Sequence, residues 1–349
     1  VIDSGLAKVP RVHNRTGITT LREEGISRAS AEQRAGRAGR TAPGRAVRLY
    51  SQKAFRARSA FTDEEILRLD LSDVALRLIH LGVRDIEDFP LPTPPPGRAL
   101  DAALASLRAM GAIDGQRALT PTGERMMPFP LSPALARVVI EAADHFPTVV
   151  DEVLMVGAFS SARSPFLYPQ GEERQARRAQ EQLAHPLGDA LTAVTTLRRY
   201  LKSGNPDGFC EASYLDPTIM AFIAKAHRQL TEIARHGGIE IKRGGDPSGV
   251  VRAVAVGFAR QIMRKQGRLY AGPGDTAVAI HPSSSLFGSD ARYVVATEIV
   301  VSNRAYARGV SRLRPEWVAE ACPELAERWH ITKRRRAKRD RDEEIPVAI

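Results

Sequence analysis

The middle of the chain follows a helical period from residue 130 to residue 236, and this stretch constrains the fold more than any other feature. It is broken at Pro147, Pro165, Pro186 and residues 204–206. Because proline ends or kinks a helix, these breaks divide the stretch into several helices that must pack against each other. The chain is 43% hydrophobic but only 6% aromatic, so its cores must rest on Leu, Val, Ile and Ala. We therefore predict a helical bundle at the centre of a multidomain α+β protein.

Strand signals flank this bundle on both sides. Residues 1–58 alternate strand and helix, which is typical of the end of an α/β layer domain. Residues 59–129 follow the order helix, helix, hairpin, which is the layout of a winged helix. Residues 237–330 begin with a glycine-rich linker and end in short strands that suffice for a small β-barrel. Residues 331–349 form a basic tail, which we predict to be disordered.

Individual elements follow from local patterns. A hairpin is predicted from residues 11–13 and 17–21, a helix at residues 31–40 and a strand at residues 45–50. Ser72 is predicted to cap a helix whose apolar face carries Val74, Leu78 and Leu81. Further helices are predicted at residues 98–110, 250–263 and 315–327. Strands are predicted at residues 268–270, 277–280, 293–301 and 309–311.

Charge and cysteine content narrow the class of protein. The formal net charge of +11 favours an anionic partner, with nucleic acid as the default. Cys210 and Cys322 are too few for a disulfide framework or a zinc site, so we expect a reducing, cytoplasmic compartment. His227 and His236 lack a third ligand at metal spacing, and no metal site is predicted. Acidic residues interrupt the longest apolar stretch, which argues against a membrane span.

The most informative short segment is Gln-Arg-Ala-Gly-Arg-Ala-Gly-Arg at residues 33–40. In a helix, Gln33, Arg37 and Arg40 would share one face and suit a polyphosphate, because guanidiniums neutralise phosphoryl oxygens and an amide can orient water. Gly36 and Gly39 each cost a helix about 1 kcal/mol, which favours close approach of a ligand or neighbouring domain. The alternative is a solvated Gly/Arg-rich loop.

Residues 33–40 resemble motif VI of superfamily 2 helicases, in the form used by the DEAH/RHA family of ATP-dependent RNA helicases. Other landmarks of that family follow in the expected order: residues 1–8 (the latter part of motif V), 26–31 (the approach to motif VI), 65–68 and 119–123 (winged helix), 185–189 (helical ratchet domain), and 280–284 with 316–317 (oligonucleotide-binding, or OB, fold). The resemblance covers nearly the whole chain. It implies the end of a RecA-like domain, a winged helix, a helical ratchet bundle and an OB-like barrel.

The resemblance also implies roles for individual residues. Arg37 and Arg40 match arginine fingers that reach the phosphates of ATP, and Gln33 matches the residue that positions the hydrolytic water. Asp3 matches a motif V aspartate near the nucleotide ribose, although a turn residue after a strand is the alternative. Gly36 falls within the same ATP-binding motif. Residues 11–21 match a β-hairpin that helps to separate strands.

The departures from the family pattern are equally informative. No Gly-x-x-x-x-Gly-Lys-Ser/Thr phosphate loop and no Asp-Glu-Ala-His sequence occur. The chain opens on Val1 and Ile2, interpreted as the end of a buried strand. We therefore expect a C-terminal helicase fragment that is inactive alone, with ATP and Mg²⁺ held mainly by RecA-like domains in cis. An activating protein is possible in this family but is not identified by the sequence.

Five basic residues are predicted to contact single-stranded RNA: Lys8, Arg15, Arg264, Lys265 and Arg268. The last three, with Arg260, could follow a phosphate backbone, or they could be a merely solvated surface. The predicted helix at residues 98–110 has too few basic residues to read a groove, which favours a structural, channel-lining role. The alternative function is a non-catalytic nucleic-acid-binding protein that keeps the winged-helix, ratchet and OB modules.

Overall fold

The computed structural model describes residues 1–13 and 18–331. The strands of this part are β1 Ile2–Asp3, β2 Leu6–His13, β3 Ile18–Gly25, β4 Val47–Arg48, β5 Ile262–Gln266, β6 Leu269–Ala271, β7 Ala277–Ile280, β8 Tyr293–Val301 and β9 Ala305–Leu313. The helices are α1 Arg28–Gly36, α2 Gln52–Arg56, α3 Ser72–His80, α4 Gly97–Ala109, α5 Pro121–Met126, α6 Pro133–His145, α7 Val150–Ser160, α8 Glu173–Glu181, α9 Asp189–Lys202, α10 Pro206–Ala212, α11 Pro217–His236, α12 Ser248–Gly257, α13 Pro315–Ala321 and α14 Pro323–Arg328. The protein is thus α+β, as predicted.

A hairpin extends from the N-terminal part towards the barrel. Strands β2 and β3 pair antiparallel over eight positions, from Leu6↔Gly25 to His13↔Ile18, so the hairpin is longer than the sequence indicated. Its predicted turn, which includes Arg15, lies outside the described residues. At its far end β3 pairs in parallel with β8 through Thr19 and Thr20. The hairpin and the barrel therefore form one continuous sheet.

The helix that carries residues 33–36 is shorter than predicted. It begins at Arg28, because the Ser27 hydroxyl accepts a hydrogen bond from the Ser30 backbone N–H and caps the first turn. It ends at Gly36, and a single 3₁₀ turn, Arg37–Gly39, follows. The prediction of one α-helix over residues 31–40 was wrong in this detail. Two glycines within four residues weaken α-helical continuation, and the tighter turn replaces it.

The two-stranded sheet beside α1 is small. β1 and β4 pair in parallel, with Ile2 opposite Val47 and Asp3 opposite Arg48. Ile2 is 76% exposed, so the prediction that this strand is buried was wrong for Ile2 in the described structure. The predicted strand over residues 45–50 is reduced to two residues. Only Asp3 of the β1 strand is buried.

Helices α3 and α4 pack together, a short bridge between Ile113 and Leu119 follows them, and α5 packs against α6. Ser72 is the first residue of α3 rather than its cap, because the Ser72 N–H donates to Asp70 Oδ1 and Leu71 precedes the helix. Thr120 caps α5 by accepting from the Gly123 N–H. The apolar faces of these helices are continuous with the core of the central bundle.

Helices α6, α7, α9, α11 and α12 pack around one core. Fully buried side chains from successive helices meet there, among them Ile140, Leu154, Leu197, Met220 and Val254. Helix α12 crosses α6 closely at Gly257, where an added Cβ would lie 2.5 Å from the Ala134 carbonyl oxygen. This helix ends at Gly257 rather than at residue 263, because Ile262 and Met263 are the first residues of β5.

The C-terminal strands close a five-stranded barrel in the order β5-β6-β7-β9-β8, with β8 also paired to β5. Its neighbours are antiparallel except for β7 and β9, which are parallel. This order, with a parallel pair joining the third and fifth strands, matches a five-stranded Greek-key barrel of the OB type. Met263, Val278, Val294 and Val310 fill its interior.

The segment after the barrel was predicted as one helix over residues 315–327. It forms two helices, because Pro323 cannot continue α13 and instead opens α14. Trp329 then stacks on Tyr293 of β8, with ring centroids 5.7 Å apart. Across residues 1–13 and 18–331, no helix is both long enough and apolar enough to cross a membrane.

Candidate functional site

The site is built around Asp3, which lies immediately before a tight turn at Gly5. Asp3 Oδ1 accepts hydrogen bonds from the Gly5 backbone N–H at 2.9 Å and from Arg34 Nη1 at 2.8 Å. Asp3 Oδ2 accepts from the Tyr50 hydroxyl at 2.8 Å. Gly5 has a φ of +72°, and an added Cβ would meet Arg58 and Tyr50, so only glycine fits there. The carboxylate thus ties strand β1 to helix α1.

Burial and hydrogen bonding act in opposite directions on the Asp3 carboxyl. Burial alone would raise its pKa, but the hydrogen bonds from Gly5, Arg34 and Tyr50 offset that effect and hold the pKa below its usual value. For the Tyr50 hydroxyl the two effects act in the same direction, since burial and the neighbouring Asp3 carboxylate both raise its pKa. Asp3 is therefore ionised at neutral pH.

A second arginine secures the base of the same region. Arg58 Nη1 donates to the carbonyl oxygens of Gly5 and Ile26, at 2.8 and 2.9 Å. Its guanidinium lies over the Tyr50 ring, 4.2 Å from the ring centroid. Our sequence reasoning missed Arg34, Tyr50 and Arg58. Arg34 is the one of the three that the sequence could have indicated, because it lies within the motif VI segment. Tyr50 and Arg58 are identified only by their tertiary contacts.

Helix α1 and the 3₁₀ turn that follows it present three polar side chains to solvent. Gln33, Arg37 and Arg40 are all exposed, and none of their side chains has a hydrogen bond or ion pair with any described residue. Gly36 and Gly39 lie on the same segment, and an added Cβ at either position would meet nothing within 4 Å. Two guanidiniums and one amide, free of protein partners, can therefore reach an anionic ligand from this surface.

The predicted RNA-contacting residues have different environments. Arg268 is exposed in the turn between β5 and β6, and Lys8 is exposed on β2 opposite Glu23. Lys265 is paired with Asp290, at 2.5 Å from Oδ1, and this hydrogen bond raises the pKa of the lysine. The Arg264 guanidinium lies over the Trp329 ring, 5.5 Å from its centroid. The structure does not describe Arg15.

The segment that resembles the ratchet element joins the bundle to the barrel. Asp189, the first residue of α9, accepts hydrogen bonds from the Ser285 N–H, the Ser285 hydroxyl and the Val310 N–H, each at 2.8 Å. Gly188, with φ of +115°, bridges Ser311 of β9. An added Cβ there would lie 2.3 Å from the Val310 carbonyl oxygen, so the close approach requires glycine.

Comparison with known proteins agrees with this architecture. A family model described as "Helicase associated domain (HA2), ratchet-like" matches residues 132–193. A second, described as "Oligonucleotide/oligosaccharide-binding (OB)-fold", matches residues 250–325. The two matches fall on the helical bundle and on the barrel with the helix that precedes it. The expected ratchet and OB elements are confirmed.

Similar whole proteins extend the comparison to the N-terminal residues. The chain is 34% identical over 321 residues to the ATP-dependent RNA helicase HrpA of Borreliella burgdorferi, covering 91% of this chain and 39% of that protein. It is 30% identical over 328 residues to the pre-mRNA-splicing factor ATP-dependent RNA helicase prp22 of Schizosaccharomyces pombe, covering 93% and 28%. The human probable ATP-dependent RNA helicase DHX35 is 30% identical over 345 residues, covering 97% and 49%.

The chain therefore spans less than half the length of each of these relatives. The relatives share a name as ATP-dependent RNA helicases, and the matches run through the motif VI segment, the bundle and the barrel. Together with the two matching family models, they show that the chain belongs to the DEAH/RHA family of helicases and corresponds to the C-terminal portion of its members.

Proposed function

We propose that this chain is the C-terminal part of an enzyme that couples ATP hydrolysis to movement along single-stranded RNA and to duplex unwinding. Residues 1–58 would be the end of a second RecA-like domain, and residues 59–129 a winged helix. Residues 130–236 would be the ratchet bundle, and residues 237–330 the OB domain. The remaining residues, 331–349, would be a basic tail that adds electrostatic attraction.

The observation that carries the proposal is the unpartnered set Gln33, Arg37 and Arg40. Exposed arginines commonly find a carboxylate, and Arg11 in the same region does so with Glu24 and Asp63. Arg37 and Arg40 have no such partner in the described structure. The neighbouring Arg34, in contrast, forms an ion pair with Asp3. The anchored arginine fixes the helix, and the free ones are left for a ligand.

Each side chain has a defined task in this proposal. Arg37 and Arg40 neutralise the negative charge that spreads over the phosphoryl oxygens during transfer. Gln33 orients the attacking water through its amide. Asp3 acts through Arg34, because both of its oxygens are already occupied by Gly5, Arg34 and Tyr50. This occupancy favours a positioning role for Asp3 over direct contact with the ribose.

The residues present fit part of an ATP site. The guanidiniums suit phosphate oxygens, and open space beside Gly36 permits close approach of a ligand. Among residues 1–13 and 18–331, no three His, Cys, Asp or Glu side chains come together as a metal-ligand set. We therefore assign Mg²⁺, together with most contacts to ATP, to the RecA-like domains that carry a phosphate loop.

RNA binding would use the barrel and the hairpin. In OB folds the loops after the first and fourth strands contact oligonucleotides. Here those loops carry Arg268 and Arg304, and the paired β3 and β8 strands bring the hairpin with Lys8 into the same sheet. Arg264 and Lys265 are engaged by Trp329 and Asp290, so we expect them to contribute less than Arg268. A cytoplasmic location agrees with the free thiols of Cys210 and Cys322.

The test is Arg37→Ala in a longer chain that includes the phosphate-loop and Asp-Glu-Ala-His domains. We expect RNA-stimulated ATP turnover to fall by about 10³ or more, with little change in ATP affinity, as for arginine fingers generally. Arg28→Ala is a matched control, because Arg28 is an exposed arginine at the start of α1, the helix that precedes the turn with Arg37. The chain alone should show no turnover.

Unchanged turnover in Arg37→Ala would mean that Arg37 is a solvated surface residue. Turnover by the chain alone would show that its own residues suffice, which contradicts the division of the ATP site. A longer chain that binds RNA but never hydrolyses ATP would support the alternative of a non-catalytic nucleic-acid-binding protein.

A further inference from the structure

A second concave site lies in the helical bundle, away from α1 and from the barrel. It is a cavity of about 1070 Å³, open on one side, between α7, α9, α11 and the segment that leads to α12. We name it the bundle groove. Small-molecule pockets usually measure roughly 300–1,000 Å³, so its size suits a segment of polypeptide or polynucleotide better than a single small ion.

The rim of the groove carries four cationic side chains. Lys202 ends α9, Arg228 and Arg235 lie two turns apart on α11, and Arg243 follows that helix. All four are exposed, and none forms an ion pair with a described residue. Glu232, between Arg228 and Arg235, is the one acidic side chain that the described part of the chain contributes to the rim. The rim therefore attracts negative charge.

The floor of the groove is closed by two buried polar pairs. Asp151 Oδ1 and His227 Nε2 are 2.8 Å apart, and both residues are at least nine-tenths buried. Beside them Arg198 is paired with the buried Glu152, which also accepts a hydrogen bond from the Gly244 N–H. These pairs fix α7 against α9 and α11. The floor is therefore a rigid support, and the rim cations remain available to a ligand.

Apolar side chains lie between the rim and the floor. Met155, Leu201 and Ile241 line the groove, and Leu201 is 45% exposed. Among the residues that the structure describes, no Phe, Tyr or Trp lines it. Single-stranded nucleic acid is typically bound by aromatic stacking beside a basic track, and this groove offers aliphatic contacts instead. Arginine clusters are a recurring recognition mode for acidic peptide motifs, and apolar grooves are a recurring site for apolar anchor residues.

We propose that the bundle groove binds an acidic peptide segment of a partner protein, with an aliphatic side chain as its anchor. The carboxylates would meet Arg228, Arg235 and Arg243, and the anchor would contact Leu201 and Met155. Charge complementarity and the apolar lining together select this occupant over RNA. This site is independent of ATP chemistry, so it goes beyond the function proposed above.

The experiment measures fluorescence anisotropy of a labelled short peptide that alternates glutamate and leucine, titrated with the chain. We expect binding that weakens as salt increases, because the rim contacts are exposed. Arg235→Gln should weaken it by about 2–5-fold, and the triple change Arg228→Gln, Arg235→Gln, Arg243→Gln by about tenfold or more. Leu201→Gln should also weaken it, while the matched control Arg178→Gln on α8 should not.

Two further probes separate the possible occupants. A peptide with glutamine in place of glutamate should not bind, and labelled oligouridylate should bind equally to the parent and to the triple variant. The proposal is overturned if the acidic peptide fails to bind or binds the triple variant as well as the parent. It is also overturned if the triple variant loses oligouridylate binding while Leu201→Gln leaves peptide binding unchanged. In that case the groove would bind the phosphate backbone of RNA and not the aliphatic anchor of a peptide. Circular dichroism of each variant establishes that it is folded.

Discussion

Removal of the Asp189 carboxylate should uncouple the helical bundle from the barrel. Three donors converge on it: the backbone N–H groups of Ser285 and Val310 and the Ser285 hydroxyl. Val310 is fully buried, so Asp189→Ala leaves its N–H without water as a replacement partner. Such a donor costs about 1–3 kcal/mol, and the more accessible Ser285 contacts add about 1 kcal/mol. We expect a total loss of about 2–4 kcal/mol.

The assay is urea denaturation followed by two signals. Far-ultraviolet circular dichroism reports on the helices, and fluorescence reports on Trp317, which is buried in the core that includes the bundle, and on Trp329, which stacks on Tyr293 of the barrel. Asp189→Asn keeps one acceptor oxygen and should lose about 1–2 kcal/mol. Asp207→Ala is a matched control, because Asp207 is an exposed acid in the first turn of α10. The reasoning is refuted if Asp189→Ala unfolds within about 0.5 kcal/mol of the parent, the range of ordinary surface substitutions.

Two other predictions concern charge. The chain should bind single-stranded RNA with a slope of about −2 to −3.5 in log K against log salt, since a wall that contacts three to five phosphates contributes about −0.7 for each. Deletion of residues 332–349 should make the slope shallower but keep binding in a filter assay; complete loss would assign all binding to the tail. Burial raises the pKa of Asp151, but the hydrogen bond and charge of His227 offset this and leave the pKa lowered. The stability from this pair is therefore present above about pH 4 and lost as pH falls through the lowered pKa. His227→Ala should lower the free energy of unfolding by about 3 kcal/mol near neutral pH. The difference in stability between this variant and the parent, measured from urea midpoints, should shrink below about pH 4. A difference that does not change with pH would contradict this prediction.

Local patterns in the sequence determined much of the secondary structure. Strands β7 and β8 lie at the predicted residues 277–280 and 293–301, because alternating β-branched residues bounded by turn residues define a strand locally. The central helices follow the predicted period between the prolines. The motif VI segment indicated Arg37, Arg40 and Gln33, and their exposure agrees with the proposed role.

Helix and strand ends were less well determined, because competing local effects decide them. Ser27 caps α1, so this helix begins at Arg28 rather than at the predicted residue 31, and the glycine pair converts its end into a 3₁₀ turn. Residues 262 and 263 suit either the end of α12 or the start of β5. These two residues belong to the strand because they pair with β8. Such choices depend on free-energy differences of about 1 kcal/mol, which sequence patterns do not resolve.

Contacts between residues far apart in the chain were decided only by the tertiary structure. The Asp3–Arg34 pair, the parallel joining of β3 to β8 and the convergence of Ser285 and Val310 on Asp189 each link segments with no local pattern in common. The bundle groove arises likewise, because its cations come from α9, α11 and the segment after α11. The sequence by itself determined which side chains could bind an anion. The packing of helices and strands decided which of them are anchored by carboxylates and which remain free, because that depends on distances between elements that no local pattern encodes.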